Sequence, residues 1–216
     1  QSMNNVLTSS EQSVAAVNDI SLQINDTNDA VLKIIEANGG VGAGSIQAAS
    51  KAGTLYAYPA TADNGYFMYY NKKYFSEDDV KTLDAMLERA ADAGKKVAMQ
   101  FDSGWYNLSF FTGAGFTLKV NPDGSTYCDW NGVTKEGIRG IDVVEAMLDI
   151  AEHPGFISIP DDEFGQRVKD GTVIAGVSGT WNAEAVSKVW GTNYAATHLP
   201  TYTCAGKQIQ MGSVAG

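Results

Sequence analysis

The feature of this sequence that most directly indicates chemistry is a tryptophan that follows a short apolar run. Residues 173–177 are apolar and short enough to form a buried strand, and Ser178 and Gly179 end the run just before Trp181. A helix can begin directly afterwards, at Asn182. Open α/β sheets bind ligands beyond the carboxyl ends of their strands, so an indole here can be a stacking platform, for example for a sugar ring. The same residue could equally cover an edge of the sheet.

A second pair of aromatic residues, Trp105 and Tyr106, follows another predicted strand. Residues 96–101 are apolar at alternate positions, and Ser103 and Gly104 allow the backbone to turn after them. We therefore expect the two rings to project from a loop at the carboxyl end of that strand. Core packing is the alternative, because aromatic side chains are buried more often than they bind ligands.

The wider pattern alternates strands with helices. Strands are predicted at 54–58, 66–70 and 96–101, and Asn121-Pro-Asp-Gly124 indicates a hairpin turn. A helix is predicted to begin at Ser76, which can cap it, and to end at Gly94, and a second is predicted over 137–150. This alternation indicates an α/β fold with helices on both faces of a sheet.

Several runs occur in an order that resembles the maltose-type, carbohydrate-binding family of extracellular solute-binding proteins of ABC importers. The resemblance covers about residues 45–216. Each motif is loose alone, and their order and spacing make the match. The runs are Gly53–Pro59 (GTLYAYP), Gly65–Lys72 (GYFMYYNK), the amphipathic segment Asp161–Gly171, the strand and Gly-Thr-Trp of Val173–Trp181, and Asn193–Pro200 (NYAATHLP).

The resemblance implies a periplasmic-binding-protein-like (type II) lobe with a mixed sheet that binds an oligosaccharide without catalysis or cofactor. It implies that the rings of Trp181, Trp105 and Tyr106 stack on the sugar. It also implies that the protein acts outside the cell or in the periplasm. Asp63 and Asn64, in a loop before Gly65, are candidates for hydroxyl contacts, and ordinary Asp-Asn-Gly turn chemistry is their alternative. An ABC importer permease would be the partner of the closed, two-lobed form. Since the family has two lobes, we expect this chain to correspond to the second lobe only.

The first 37 residues form a different kind of sequence. Methionine, valine or isoleucine occupies seven of the ten a and d positions of five heptads between Met3 and Ile34, with no glycine or proline between them. The sequence thus predicts a coiled-coil-like helix over 1–37, a glycine-rich linker over 38–45 and the α/β lobe over 46–216. The run 8–16 (TSSEQSVAA), with Glu11 and Gln12 at outward b and c positions, resembles the methylation stretch in the cytoplasmic helices of methyl-accepting chemotaxis receptors. The helix could also form a homo-oligomer. A coiled-coil signalling or oligomerisation module, or a truncated or engineered fragment that carries a lobe, is the alternative function.

The charge of the chain argues against two classes of partner. Its formal net charge is −10 and its pI is about 4.5, whereas nucleic acids and anionic membranes attract clustered Lys and Arg. The sequence holds no apolar run of about 18 residues that would indicate a membrane span. It also does not open with a charged and then apolar signal segment.

The two cysteines, Cys128 and Cys204, are too few for a four-ligand zinc site, and His153 and His198 lack ligand spacing. In an exported protein the two cysteines could form a disulfide, because both flank predicted turns. Two free thiols are the alternative.

Enzymatic interpretations find little support in the sequence. Gly176-Val-Ser178-Gly179-Thr180 lacks the last glycine of a nucleophile elbow. Carboxylates are frequent at predicted helix starts, but none is framed by apolar residues as a raised-pKa general acid would be. A hydrolase that acts on the same sugars is the enzymatic alternative, and we expect the protein not to be an enzyme.

Overall fold

The computed structural model describes residues 2–37, 44–57 and 65–212, and the side chains of residues 2–7, 9 and 10 are outside this description. The chain divides into two compact units, the first ending at Asp63 and the second spanning Asn64–Ala215. The predicted division into a helix over 1–37, a linker over 38–45 and a lobe over 46–216 stays a prediction.

The first unit contains two helices and a short hairpin. Helix α1 spans Ser2–Ala37 without a break, which is consistent with the absence of glycine and proline from this segment. Helix α2 spans Gly44–Ala48, and strands β1 (Ser50–Lys51) and β2 (Thr54–Leu55) pair antiparallel. The strand predicted over 54–58 is therefore seen only at its first two residues, and Tyr58 lies outside the described residues.

The second unit is built on a mixed five-stranded sheet. Its strands are β3 (Tyr66–Asn71), β4 (Lys96–Met99), β7 (Phe156–Ser158), β8 (Val173–Gly179) and β9 (Tyr194–Thr197), in the order β7-β4-β8-β3-β9. Strand β4 runs parallel to β7 and β8, whereas β3 runs antiparallel to β8 and β9. Two separate hairpins complete the strands of this unit: β5 (Leu118–Val120) with β6 (Thr126–Cys128), and β10 (Thr201–Cys204) with β11 (Lys207–Gln210).

Helices cover both faces of this sheet, as the sequence predicted. One core contains residues of α3 (Leu83–Asp92), α4 (Gly104–Gly113) and α5 (Gly140–Glu152), and the other contains residues of α6 (Asp161–Lys169) and α7 (Ala183–Trp190). Strand β3 serves both cores, because Met68 and Tyr70 belong to the first and Tyr69 to the second. Trp130 stacks on Phe111 at 4.1 Å and Trp190 is buried, so both tryptophans belong to the packing of this unit.

Helices α3 and α4 differ most from the predictions. Helix α3 begins at Leu83 rather than at Ser76, because the Thr82 hydroxyl accepts the backbone N–H of Ala85 and forms the cap. Ser76 instead makes a local turn with Asp79. Helix α4 occupies the segment that was expected to be a loop. No helix among the described residues is both long and apolar enough to cross a membrane.

Of the two alternatives for the cysteines, the structure has the second: Cys128 and Cys204 are both free thiols. Cys128 is exposed on β6, whereas Cys204 lies in the core with 1% of its surface exposed. The turn after Cys204 is at the surface, but the alternation of β10 directs both Tyr202 and Cys204 into the core.

Candidate ligand-binding site

The residues that could bind a ligand lie together at the side of the five-stranded sheet where its parallel strands end. We call this side the edge of the sheet. Strands β4, β7 and β8 all end at this edge, and β3 begins there, since Tyr66 pairs with Gly179. The chain continues from these strand ends into α4, α6 and the 3-10 turn Thr180–Asn182. It is the edge at which open α/β sheets bind their ligands.

Trp181 lies at this edge with 49% of its surface exposed. Its six-membered ring packs on Gly179, where an added Cβ would lie only 2.1–2.4 Å from three ring atoms. Its Nε1–H donates a hydrogen bond of 2.5 Å to Oδ2 of Asp161. The indole is thus fixed at two points while about half of its surface stays open, which is the geometry of a stacking platform.

Asp161 connects the residues of the site. Its Oδ1 accepts the hydroxyl of Tyr106 at 2.7 Å and that of Ser178 at 2.6 Å, in addition to the indole bond to Oδ2. Its backbone N–H donates to the side chain of Gln100 at 3.1 Å. Asp161 is the first residue of α6, so the positive end of the helix dipole favours a negative charge at this position. We call Asp161, Tyr106, Ser178 and Trp181 the Asp161 network.

The other two aromatic residues at this edge differ in exposure. Trp105, in the first turn of α4, is 37% exposed, and its ring meets Tyr66 edge-on at 5.7 Å between centroids. The hydroxyl of Tyr66 donates to the backbone carbonyl of Trp105 at 3.0 Å. Tyr106 is only 3% exposed, because the helix directs its ring into the core. It therefore offers no stacking surface in this structure, contrary to the expectation from sequence.

Burial keeps the tyrosine hydroxyls of this edge protonated. Desolvation raises the pKa of Tyr66 to about 12, although a hydrogen bond with Ser109 opposes the shift. For Tyr106, burial raises the pKa still further, and the hydrogen bond and charge of Asp161 act in the same direction. Both hydroxyls therefore act as hydrogen-bond donors at any physiological pH.

The structure tests the other predicted site residues only in part. Asp63 and Asn64 lie outside the described residues. Asp161 was missed, because it was assigned only to an amphipathic helix with exposed acids. A signal was present in the short, mostly apolar run 156–159 before Pro160, because its first three residues form β7 and Asp161 follows shortly after that strand. A strand prediction there would have drawn attention to that carboxylate.

The serine and histidine side chains that could take part in chemistry are held in local contacts. Ser178 is fully buried, donates to Asp161 and accepts the side-chain amide of Asn182, so its oxygen is not exposed as a nucleophile. The imidazole of His153 contacts Glu88, and that of His198 contacts the carbonyl of Leu199. Across residues 2–37, 44–57 and 65–212, no group of three or more His, Cys, Asp or Glu side chains is placed to hold a metal ion.

Comparison with known proteins gives a family match over nearly the whole chain. The sequence model of the bacterial extracellular solute-binding protein family matches residues 7–216. No curated protein matches the chain.

Solved structures match the fold of this chain. One solved with acarbose is 28% identical with a TM-score of 0.63, and the match covers 84% of this chain and 45% of that chain. The maltodextrin-binding protein MalE1 from L. casei BL23, solved without ligand, is 24% identical with a TM-score of 0.62 and the same coverage. The Thermus thermophilus maltotriose-binding protein bound with maltotriose is 18% identical with a TM-score of 0.60, covering 85% of this chain and 48% of that one. The chain spans about half the length of these structures.

Proposed function

Because the chain belongs to the bacterial extracellular solute-binding protein family, we propose that it binds an oligosaccharide at this edge of the sheet and catalyses no reaction. The observation that carries the proposal is the half-exposed indole of Trp181, held in place by Asp161 and Gly179. A ring whose orientation is fixed and whose surface is half exposed is suited to a flat apolar ligand face.

Stacking on a sugar ring uses both properties of the indole. The apolar C–H face of a pyranose covers the ring, and burial of aromatic surface supplies the favourable free energy. Trp105 adds a second, smaller open surface at the same edge. Sugar hydroxyls also require fixed polar partners, and Asp63 and Asn64 stay our candidates for these contacts.

The solved relatives support a sugar as the ligand class. The structure that is 28% identical was solved with acarbose, and the Thermus thermophilus protein was solved with maltotriose. We therefore expect a glucose-based oligosaccharide to be the best first ligand.

Transport would follow from binding by closure of two lobes. In this proposal the protein acts outside the cell or in the periplasm, the sugar joins the lobe described here to a second one, and the closed form delivers it to an ABC importer permease. The family match supports the extracellular location.

The test is a titration of the full chain with maltotriose and maltotetraose by calorimetry, at sugar concentrations up to tens of millimolar. Trp181→Ala should abolish the binding heat. Tyr127→Ala is the matched control, because Tyr127 is a similarly exposed aromatic residue (45%) that lies on the β5–β6 hairpin. Galacto- and xylo-oligosaccharides, run in parallel, would define the specificity.

A saturable heat that is lost in Trp181→Ala and kept in Tyr127→Ala supports the proposal. If no oligosaccharide binds to the folded protein, or if Trp181→Ala binds as well as the native chain, the proposed site is wrong.

A further inference from the structure

Helix α1 presents an apolar stripe on a long exposed surface. Val17, Ile20 and Ile24, at successive a and d positions of the heptads, are 60%, 55% and 54% exposed. At about 1.5 Å per residue the 36 residues of α1 form a rod about 54 Å long. A helix with such a stripe gains most of its stability by packing the stripe against another surface.

The charges of α1 all lie away from this stripe. In the register that places Val17 at a and Ile20 at d, every charged residue falls at b, c or f: Glu11, Asp19, Asp26, Asp29, Lys33 and Glu36. The flanking e and g positions carry no charge. They hold Leu7, Val14, Ser21, Asn28 and Ile35 at e, and Ser9, Ala16, Gln23, Ala30 and Ala37 at g. Two identical copies of α1 can therefore approach along the stripe without like charges across e and g, although each helix is acidic overall.

The surface of α1 also contains a hole of the kind that coiled coils use. A groove of about 280 Å³ is lined by Ile20, Gln23, Ile24, Thr27 and Asn28. In a parallel coiled coil, a side chain at an a position of one helix packs among the d, g, a and d positions of its partner. Ile20, Gln23, Ile24 and Thr27 occupy those four positions in order. In an in-register parallel pair, that side chain is Ile24 of the second copy.

The residues of this hole tolerate burial. The Thr27 hydroxyl donates to the carbonyl of Gln23 at 2.7 Å within α1, so it would not be left unsatisfied in the seam.

We propose that α1 pairs with α1 of a second copy of this chain, parallel and in register, with Ile24 facing Ile24. The pairing involves none of the residues proposed for sugar binding. The proposal is therefore independent of the proposed function.

The first test is the mass of the full chain in solution, measured by light scattering and sedimentation at micromolar concentrations. The native chain should have at least twice the mass of one copy, and Ile24→Lys should reduce it to one copy. Leu22→Lys is the matched control, because Leu22 is equally exposed (62%) but lies at an f position. A native chain that is monomeric throughout, or equal dissociation by both variants, overturns the proposal.

The second test fixes the orientation and does not depend on a destabilising variant. In a Cys128→Ser background, which removes the exposed thiol, Ile24→Cys should form a disulfide-linked dimer under mild oxidation, and Leu22→Cys should not. An oligomer in which Ile24→Cys fails to cross-link contradicts the parallel register.

Discussion

Replacing Asp161 by asparagine tests the central claim about the site, namely that one carboxylate holds Trp181 in place. The amide keeps the size of the side chain and one acceptor oxygen. That oxygen can still accept the hydroxyls of Tyr106 and Ser178, which both bond to Oδ1. The other position becomes an NH₂ group that faces the indole N–H, so two donors meet where a hydrogen bond of 2.5 Å existed.

The cost follows from the three hydrogen bonds. Loss of the indole bond costs about 1 kcal/mol, because Trp181 is half exposed and water can replace its acceptor. The two bonds that persist change from charged to neutral, at about 0.5 kcal/mol each, and loss of the charge at the start of α6 adds about 0.5 kcal/mol. The free energy of unfolding should therefore fall by about 2–3 kcal/mol. Freeing one large side chain should also weaken sugar binding about three- to tenfold, since binding must then immobilise it.

Urea unfolding followed by circular dichroism measures the first effect, and sugar titration measures the second. With a slope of about 2 kcal/mol per molar urea, the midpoint should move down by about 1 M. Asp162→Asn is the control, because Asp162 is an exposed carboxylate in the same first turn and should lose only the small dipole contribution. Equal stability and equal sugar affinity in the two variants would refute the role assigned to Asp161.

Three further predictions concern single groups. Gly179→Ala should abolish sugar binding, because the added Cβ displaces the indole of Trp181, while circular dichroism should show an intact fold. Gly104→Ala, whose Cβ meets nothing within 4 Å, should bind sugar normally, and equal affinities of the two variants would contradict the packing of Trp181 on Gly179. Because the pKa of Tyr66 is about 12 in the folded protein against about 10 unfolded, its stabilising contribution is complete below pH 10 and is lost as the pH rises to 12. Tyr66 should account for about 2 kcal/mol of the fall in the free energy of unfolding across that interval, read as the difference between the native chain and Tyr66→Phe, because other buried tyrosines contribute to the fall in both; equal falls would contradict the assignment. A thiol reagent should find one reactive group in the native protein, Cys128, and a second, Cys204, only after denaturation; no reactive thiol at all would indicate a disulfide.

The sequence predicted those parts of the fold that leave a local periodic signal. The apolar run 173–177 became the centre of β8, and the helix predicted over 137–150 became α5. Trp181 was placed correctly at the end of β8, because the end of a strand and the start of a following helix can be recognised from consecutive residues.

Helix α4 left no such signal. Tyr106, Ser109, Phe110 and Phe111 are all buried, so the helix is apolar on more than one side and lacks an amphipathic period. Its first residues were therefore expected to form a loop, and Tyr106 was assigned an open ring rather than a buried one.

The Asp161 network could not be predicted for a related reason. Tyr106 and Asp161 are 55 positions apart, and the two meet only because β4 and β7 are parallel neighbours that end at the same edge. Cys204 shows the same limit, since its burial depends on which face of β10 packs on the core and not on the turn beside it. The periodicity of consecutive residues predicts helices and strands, whereas the pairing of distant strands decides which side chains meet in the site.

The affinity of this chain for a sugar should be limited by how much of the sugar surface the edge can cover. Ligand sites that bind tightly enclose most of the ligand surface, at about 70–90%. Trp181 and Trp105 are half exposed or less and lie at one edge of one sheet, so these two rings could cover only one face of a sugar in the proposed site. If two lobes share equally a typical ~1 μM affinity, about 8 kcal/mol, one lobe supplies about 4 kcal/mol, which corresponds to a dissociation constant near 1 mM. Calorimetry should therefore give millimolar binding to this chain. A micromolar constant would mean that this edge alone surrounds the sugar, and the role assigned to a second lobe would then be wrong.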